Sequence, residues 1–119
     1  MSFISELPFK GMSFEFHGEQ HGSPICAYLV QAQPGQGPPL HTHPYVETIF
    51  MIEGQALLTI GDETREVGAG AVAVVPANTA HKFKNTGDTI LRQVDVHDSP
   101  RFIQTNLDGV VAHYHGSGF

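Results

Sequence analysis

Short runs rich in β-branched and aromatic residues, broken every ten residues or so by turn formers, make up the hydrophobic pattern of this chain. No segment sustains apolar recurrence at the three-to-four spacing of a helix. The pattern predicts strands near residues 12–17, 25–33, 41–43, 46–53, 55–60, 63–67, 71–75, 81–85 and 89–97. Thirteen glycines and eight prolines separate them, and Gly61-Asp62 is a tight-turn dipeptide between two of them. Residues 35–39 form a loop stiffened by prolines that delivers the chain to His41. The pattern is that of an all-β sandwich or barrel with antiparallel strands.

Candidate chemistry sits on this frame. His41 and His43 are two apart, so on an extended strand both side chains leave one face; Glu47 lies four further on and keeps that parity if the segment continues as strand. One face of one hairpin would then carry three ligands. His81 follows the strand 71–75 and a turn at Pro76, Ala77, Asn78 and Thr79, and an antiparallel return can bring it opposite the first set. Three imidazoles and one carboxylate can close on a single metal ion, and burying four such groups without one is costly.

Two stretches carry a resemblance. In 35–54 the order is Gly35, five residues, His41, one, His43, three, Glu47, six, Gly54. At this chain's own residue frequencies a chance match is on the order of 10⁻⁶ per start point. In 70–85 the fixed residues are Gly70, Pro76, His81 and Asn85. These stretches resemble the paired motifs of the cupin superfamily. The second departs from the family pattern at Asn78, where glycine is usual; asparagine tolerates the left-handed conformation next best. The resemblance implies a small jelly-roll barrel, an antiparallel double-stranded β-helix, spanning 1–119 as one domain, with metal ligands His41, His43, Glu47 and His81. It also implies a homodimer, for which residues 2–10 are apolar enough to pair with a neighbouring subunit.

Length and composition narrow the function. A chain of 119 residues has room for one core but not for a separate cofactor-binding domain. The net charge is −6, and the six lysines and arginines are too scattered to form a basic stripe, so no nucleic acid and no membrane surface is expected as a partner. No apolar run reaches a membrane span and no export signal is legible, so a cytoplasmic protein is expected. Cys26 stands alone, which fits a reducing compartment, and reads as a small buried hydrophobe. No nucleophile with a base and no phosphate loop is present, which argues against covalent hydrolysis and nucleotide chemistry.

The donor set suits a divalent transition ion: Fe, Mn, Ni, Co, Cu or Zn. Four protein ligands on an octahedral ion leave two positions open for a small-molecule ligand, or for substrate with dioxygen. One carboxylate leaves a formal +1 on the site, which an anionic chelator such as an enolate or 2-oxo acid would neutralise. The readings are a dioxygenase-like enzyme, a non-catalytic ligand-binding or sensing barrel, and an isomerase or epimerase in which catalytic Glu47 or a histidine shuttles a proton. Ile49, Met51 and Phe83 share the ligand parity and are expected to line an apolar pocket or to be ordinary core. Arg92 shares a face with Ile90, Val94 and Val96; inward, it becomes an anchor for an anionic substrate, and in a reversed register it lies in solvent. Tyr45 can donate a hydrogen bond at the site or cap the barrel mouth, and Asn85 is expected to order its own turn. His17, His21, His97, His113 and His115 read as surface or hydrogen-bonded residues.

Overall fold

The computed structural model describes residues 1–107. In chain order the strands are β1 (Phe9–Lys10), β2 (Ser13–His17), β3 (Cys26–Ala32), β4 (His41–Thr42), β5 (Glu47–Glu53), β6 (Gln55–Ile60), β7 (Glu63–Gly68), β8 (Val72–Val75), β9 (His81–Asn85), β10 (Leu91–His97) and β11 (Thr105–Asn106). They build two antiparallel sheets, one ordered β1-β2-β3-β10-β5-β8 and the other β11-β4-β9-β6-β7. This is the all-β, jelly-roll arrangement expected of a cupin. The sheets close on a core of Tyr28, Val30, Ile49, Met51, Val75 and Leu91 from the first, and Ala56, Leu58 and Phe83 from the second. Cys26 is in that core with a free, buried thiol. Among the described residues no helix is long and apolar enough to cross a membrane.

The run from His41 to Glu47 is not the single strand that its parity suggested. His41 lies on β4 in the second sheet and Glu47 starts β5 in the first, so the chain changes sheets between them. Pro44 lacks the N–H a ladder needs, and the strand ends before it. The ligands meet because both sheets turn these side chains inward. His81 does return opposite, since His41 pairs directly with His81 across β4 and β9.

Two motif residues have local physical reasons. Gly54 has φ +90, and a Cβ there would stand 2.6 Å from the carbonyl oxygen of Ile90, so both conformation and space exclude a side chain. Asn78 occupies the left-handed region at φ 61, and its N–H donates to the carbonyl of His43 at 2.7 Å, tying the second motif's turn to the first motif's ligand. The departure from glycine therefore keeps the turn.

Strands β2 and β10 of the first sheet invert the usual alternation. Strand β10 turns Leu91, Gln93, Asp95 and His97 inward, and Arg92, Val94 and Val96 outward. On the outer face an apolar row crosses the whole sheet by register: Phe9, Phe14, Leu29, Val94, Phe50 and Val72. A parallel row follows with Phe16, Ala27, Val96, Thr48 and Val74. Strand β8 carries the most exposed part, with Val72 at 60% and Val74 at 58% accessibility.

At the termini, the segment expected to pair with another subunit pairs in part within the chain. Phe9 and Lys10 add to β2, while residues 4–6 form a short 3₁₀ turn. The stretch after Pro100 adds β11 beside β4. These two-residue strands were missed because two residues carry no periodicity.

Candidate metal centre

His41, His43, Glu47 and His81 converge, all buried, with one ligand atom from each lying within 4.8 Å of the others. Three elements deliver them: β4 and the turn after it bring His41 and His43, β5 opens on Glu47, and β9 opens on His81. Each imidazole is held by a carbonyl. His41 Nδ1 donates to Pro39 O at 2.6 Å, His43 Nδ1 to Ile103 O at 2.6 Å, and His81 Nδ1 to Thr79 O at 2.9 Å. A carbonyl can only accept, so these bonds place the proton on Nδ1 and leave Nε2 as a bare lone pair turned to the centre. That is the tautomer a metal ligand needs, with its orientation fixed by an outer hydrogen bond.

The carboxylate lies among these nitrogens, with Glu47 Oε1 at 2.9 Å from His81 Nε2 and 3.3 Å from His43 Nε2. Lone pairs facing lone pairs at such distances repel unless a cation stands between them. The donor set therefore fits a divalent ion, and His41, His43, Glu47 and His81 are the residues that would hold it. Burial disfavours the imidazolium and lowers His41 to about 3, with the neighbouring His81 adding to the effect. For Glu47, burial pushes the carboxyl upward, but the surrounding imidazoles of His43, His81 and His97 outweigh it and leave the group well below the usual carboxylate range.

His97 was read as an ordinary surface or hydrogen-bonded histidine, and the structure overturns the surface half of that reading. It is fully buried on β10, its Nε2 is 3.6 Å from Glu47 Oε1, and its ring centroid lies 4.5 Å from that of His43. The register signal was available only with the sheet in hand, since His97 pairs with Glu47 across β10 and β5. Tyr45 stacks on His43 with ring centroids 5.1 Å apart, and its hydroxyl lies 2.7 Å from His97 Nδ1. Phe102 covers this corner, 5.8 Å from the His43 ring and 5.9 Å from the His97 ring.

Of the other histidines, His17 bonds Glu15 at 2.9 Å and His21 stacks on Phe16 near the surface. His113 and His115 lie outside the described residues.

Among the expected pocket residues, Ile49, Met51 and Phe83 are buried on the inner faces as parity required. Arg92 does not join them. It faces outward, partly exposed, in an ion pair with Glu53 at 3.3 Å, because the apolar residues sharing its parity belong to the apolar outer face. Asn85 orders its turn, donating to the carbonyls of Ala32 and Thr89 and accepting from the Gly87 N–H, all at 2.9 Å. The interior wall beyond the centre is polar: Ser13 Oγ, Glu15 Oε2, Gln93 Oε1 and Asp95 Oδ2 are buried without a hydrogen bond among the described residues. A cleft of about 400 Å³ opens between the edge strands β7 and β8, floored by Met51, Leu58 and Ile60, but none of the four donors lines it.

Known proteins share this architecture. An oxalate decarboxylase variant from Bacillus subtilis superposes with a TM-score of 0.76 at 23% identity, over 87% of this chain and 30% of that one. The oxalate decarboxylase of Lactobacillus farciminis, solved with formate, gives 0.76 at 25% identity over 91% of this chain and 35% of that one. By sequence, the chain is 33% identical over 73 residues to the polyketide synthase CurC of Streptomyces cyaneus, covering 60% of this chain and 47% of that protein. This chain spans about half the length of the curated relatives it matches. The cupin domain family model matches residues 28–97, more than half of the chain, and the protein therefore belongs to the cupin domain family.

Proposed function

We propose that this cupin holds one divalent transition-metal ion on His41, His43, Glu47 and His81 and uses it to bind a small anionic or chelating organic molecule, with dioxygenase-like chemistry at the open coordination positions. The observation that supports this best is the set of three histidines whose bare Nε2 atoms are locked inward around a buried carboxylate. An ion there supplies Lewis-acid or redox chemistry. The chain orients the ion through fixed imidazoles and walls it on one side with Ile49, Met51 and Phe83. Glu47 also has the position to take a proton from bound substrate, which is its catalytic role in this reading. The B. subtilis neighbours include one described for its Mn(II) centres, which makes manganese a natural first ion to test.

The test is metal analysis of purified protein after loading with Mn(II), Fe(II), Co(II), Ni(II), Cu(II) or Zn(II), beside the Glu47→Gln variant. About one equivalent of ion per chain is expected for the parent and a marked loss in the variant. Loaded protein then enters an oxygen-uptake screen of 2-oxo acids and enolisable substrates. Failure to retain any of these ions at neutral pH would sink the metal reading, while retention without turnover would leave a binding barrel.

The same reading includes a homodimer, supported by the apolar rows on the outer face of the six-stranded sheet. Six strands at about 4.8 Å spacing make a band roughly 24 Å wide, wide enough to seed an isologous sheet-on-sheet contact with a second copy. At the β8 end of this band Phe50 and Val72 are cross-strand partners. The double substitution Phe50→Lys and Val72→Lys is expected to shift the parent's dimer to a monomer in light scattering without unfolding it. A parent that is monomeric at tens of micromolar contradicts this part of the reading. A cytoplasmic location is proposed as well, supported by the free, buried thiol of Cys26.

A further inference from the structure

Four histidine rings surround Glu47, and they do not carry their protons alike. Three of them, His41, His43 and His81, present Nδ1 to a backbone carbonyl, which fixes the proton there. The exception is His97, whose Nδ1 faces the Tyr45 hydroxyl at 2.7 Å, a group able to donate or accept.

The surroundings of Tyr45 decide which it does. Its oxygen receives the N–H of Ile103 at 3.3 Å. The alternative acceptor for its own proton, Ile103 O, is 3.3 Å away and already takes the His43 Nδ1 proton at 2.6 Å. His43 Nδ1 lies 3.4 Å off, but it carries a proton and cannot accept. The shortest partner left is His97 Nδ1. Tyr45 therefore donates to it, and the His97 proton moves to Nε2, the atom that faces Glu47 Oε1 at 3.6 Å.

We propose that Tyr45 and His97 form a directed donor chain, from the Ile103 N–H through the Tyr45 hydroxyl to the His97 ring, that turns the His97 Nε2–H toward Glu47 Oε1 and biases the orientation of its carboxylate toward the ion. His97 is a positioning residue rather than a fifth ligand. Its Nε2 holds the proton, and it falls outside the group of four donors that lie within 4.8 Å of one another. At 3.6 Å the Nε2–H of His97 is beyond hydrogen-bond reach of Glu47 Oε1 and acts on the carboxylate as a positive dipole, favouring the orientation that keeps Oε1 on the His97 side. This inference rests on the metal reading for its purpose, but the tautomer it assigns can be measured without metal.

The first experiment is long-range ¹H–¹⁵N correlation of the imidazole rings in metal-free and Zn(II)-loaded protein. The expected result is a proton on Nε2 for His97 and on Nδ1 for His41, His43 and His81. A proton on Nδ1 of His97 overturns the proposal. The second compares Co(II) affinity and the visible d–d spectrum of His97→Phe, His97→Gln and Tyr45→Phe, each confirmed folded by circular dichroism. His97→Phe keeps a ring in place but donates nothing, and should weaken Co(II) about 10- to 100-fold with a shifted spectrum. His97→Gln, which restores an N–H near the Nε2 position, should recover most of both, and Tyr45→Phe should fall between. A His97→Phe spectrum and affinity equal to the parent's sink the positioning role alone, whereas a parent that takes up no Co(II) sinks the metal reading and the purpose of the chain together.

Discussion

His41→Ala is expected to reduce metal affinity by more than about 100-fold, beyond the loss that an outer hydrogen-bonding change causes. The His41 ring is buried, its Nδ1 is tied to Pro39 O at 2.6 Å, and it packs 4.2 Å from the His81 ring, so alanine removes a donor that its surroundings hold in place. The same variant should lose the stabilisation that metal confers. With free ion at about 100 times the dissociation constant, binding to the folded state is worth about 2.7 kcal/mol, which for a domain near this size is roughly 10–20 °C in Tm. Thermal melts of parent and variant, with and without ion, separate this linkage from simple packing loss. Only the metal-dependent increment should vanish. If His41→Ala keeps the parent's metal content, the ligand set is wrong.

The second large effect is the acid sensitivity of the metal-free protein. His41 and His97 are each lowered to about 3 because burial disfavours the imidazolium, whereas both titrate near 6.5 in an unfolded chain. Between those values the unfolded chain binds protons that the folded one refuses. Their contribution is therefore complete above about pH 6.5 and is lost as pH falls, at up to about 1.4 kcal/mol per pH unit for each histidine. Asp95 opposes them. Burial first, and then the nearby Glu47 charge, hold its carboxyl protonated well above the usual range despite the hydrogen bond from Gln93. Its contribution is complete in acid and lost as pH rises. Two histidines against one acid leave a net loss on acidification. The depressed carboxyl of Glu47 adds a further loss once pH falls below the ordinary carboxylate range. Urea midpoints of the metal-free protein should be lower at pH 5 than at pH 7. A higher midpoint at pH 5 would contradict the buried, neutral state of these two histidines.

Much of the site was legible in the sequence because its signals are local. Spacing grouped His41, His43 and Glu47, the resemblance to the paired cupin motifs added His81, and the left-handed tolerance of asparagine explained Asn78 without any coordinates. Of the nine predicted strands, β6 and β9 fell where the alternation put them and the other seven within two residues, while β1 and β11 were not predicted. What failed did so for reasons of long range. Parity along His41 to Glu47 assumed one strand, where the chain in fact changes sheets near Pro44. Arg92 was left open between an inward anchor and solvent, and His97 was grouped with surface or hydrogen-bonded histidines because polar residues are mostly exposed; alternation alone does not say which face of β10 is buried.

The chain by itself determined that this is an all-β protein, where its turns fall, and which four donors can share an ion. The first two follow from residue-level conformational preference and the period of two along a strand, the third from the order and spacing of the two motifs. Only the tertiary structure decided which face of β10 points inward, that His97 stands against Glu47, and that carbonyls of Pro39, Thr79 and Ile103 fix the ligand tautomers. A strand's alternation defines two faces but not which one is buried. On β10 the outward residues Val94 and Val96 are apolar and the inward Gln93, Asp95 and His97 are polar, so hydrophobicity alone did not choose the buried face, and the pairing of β10 between β3 and β5 settled it.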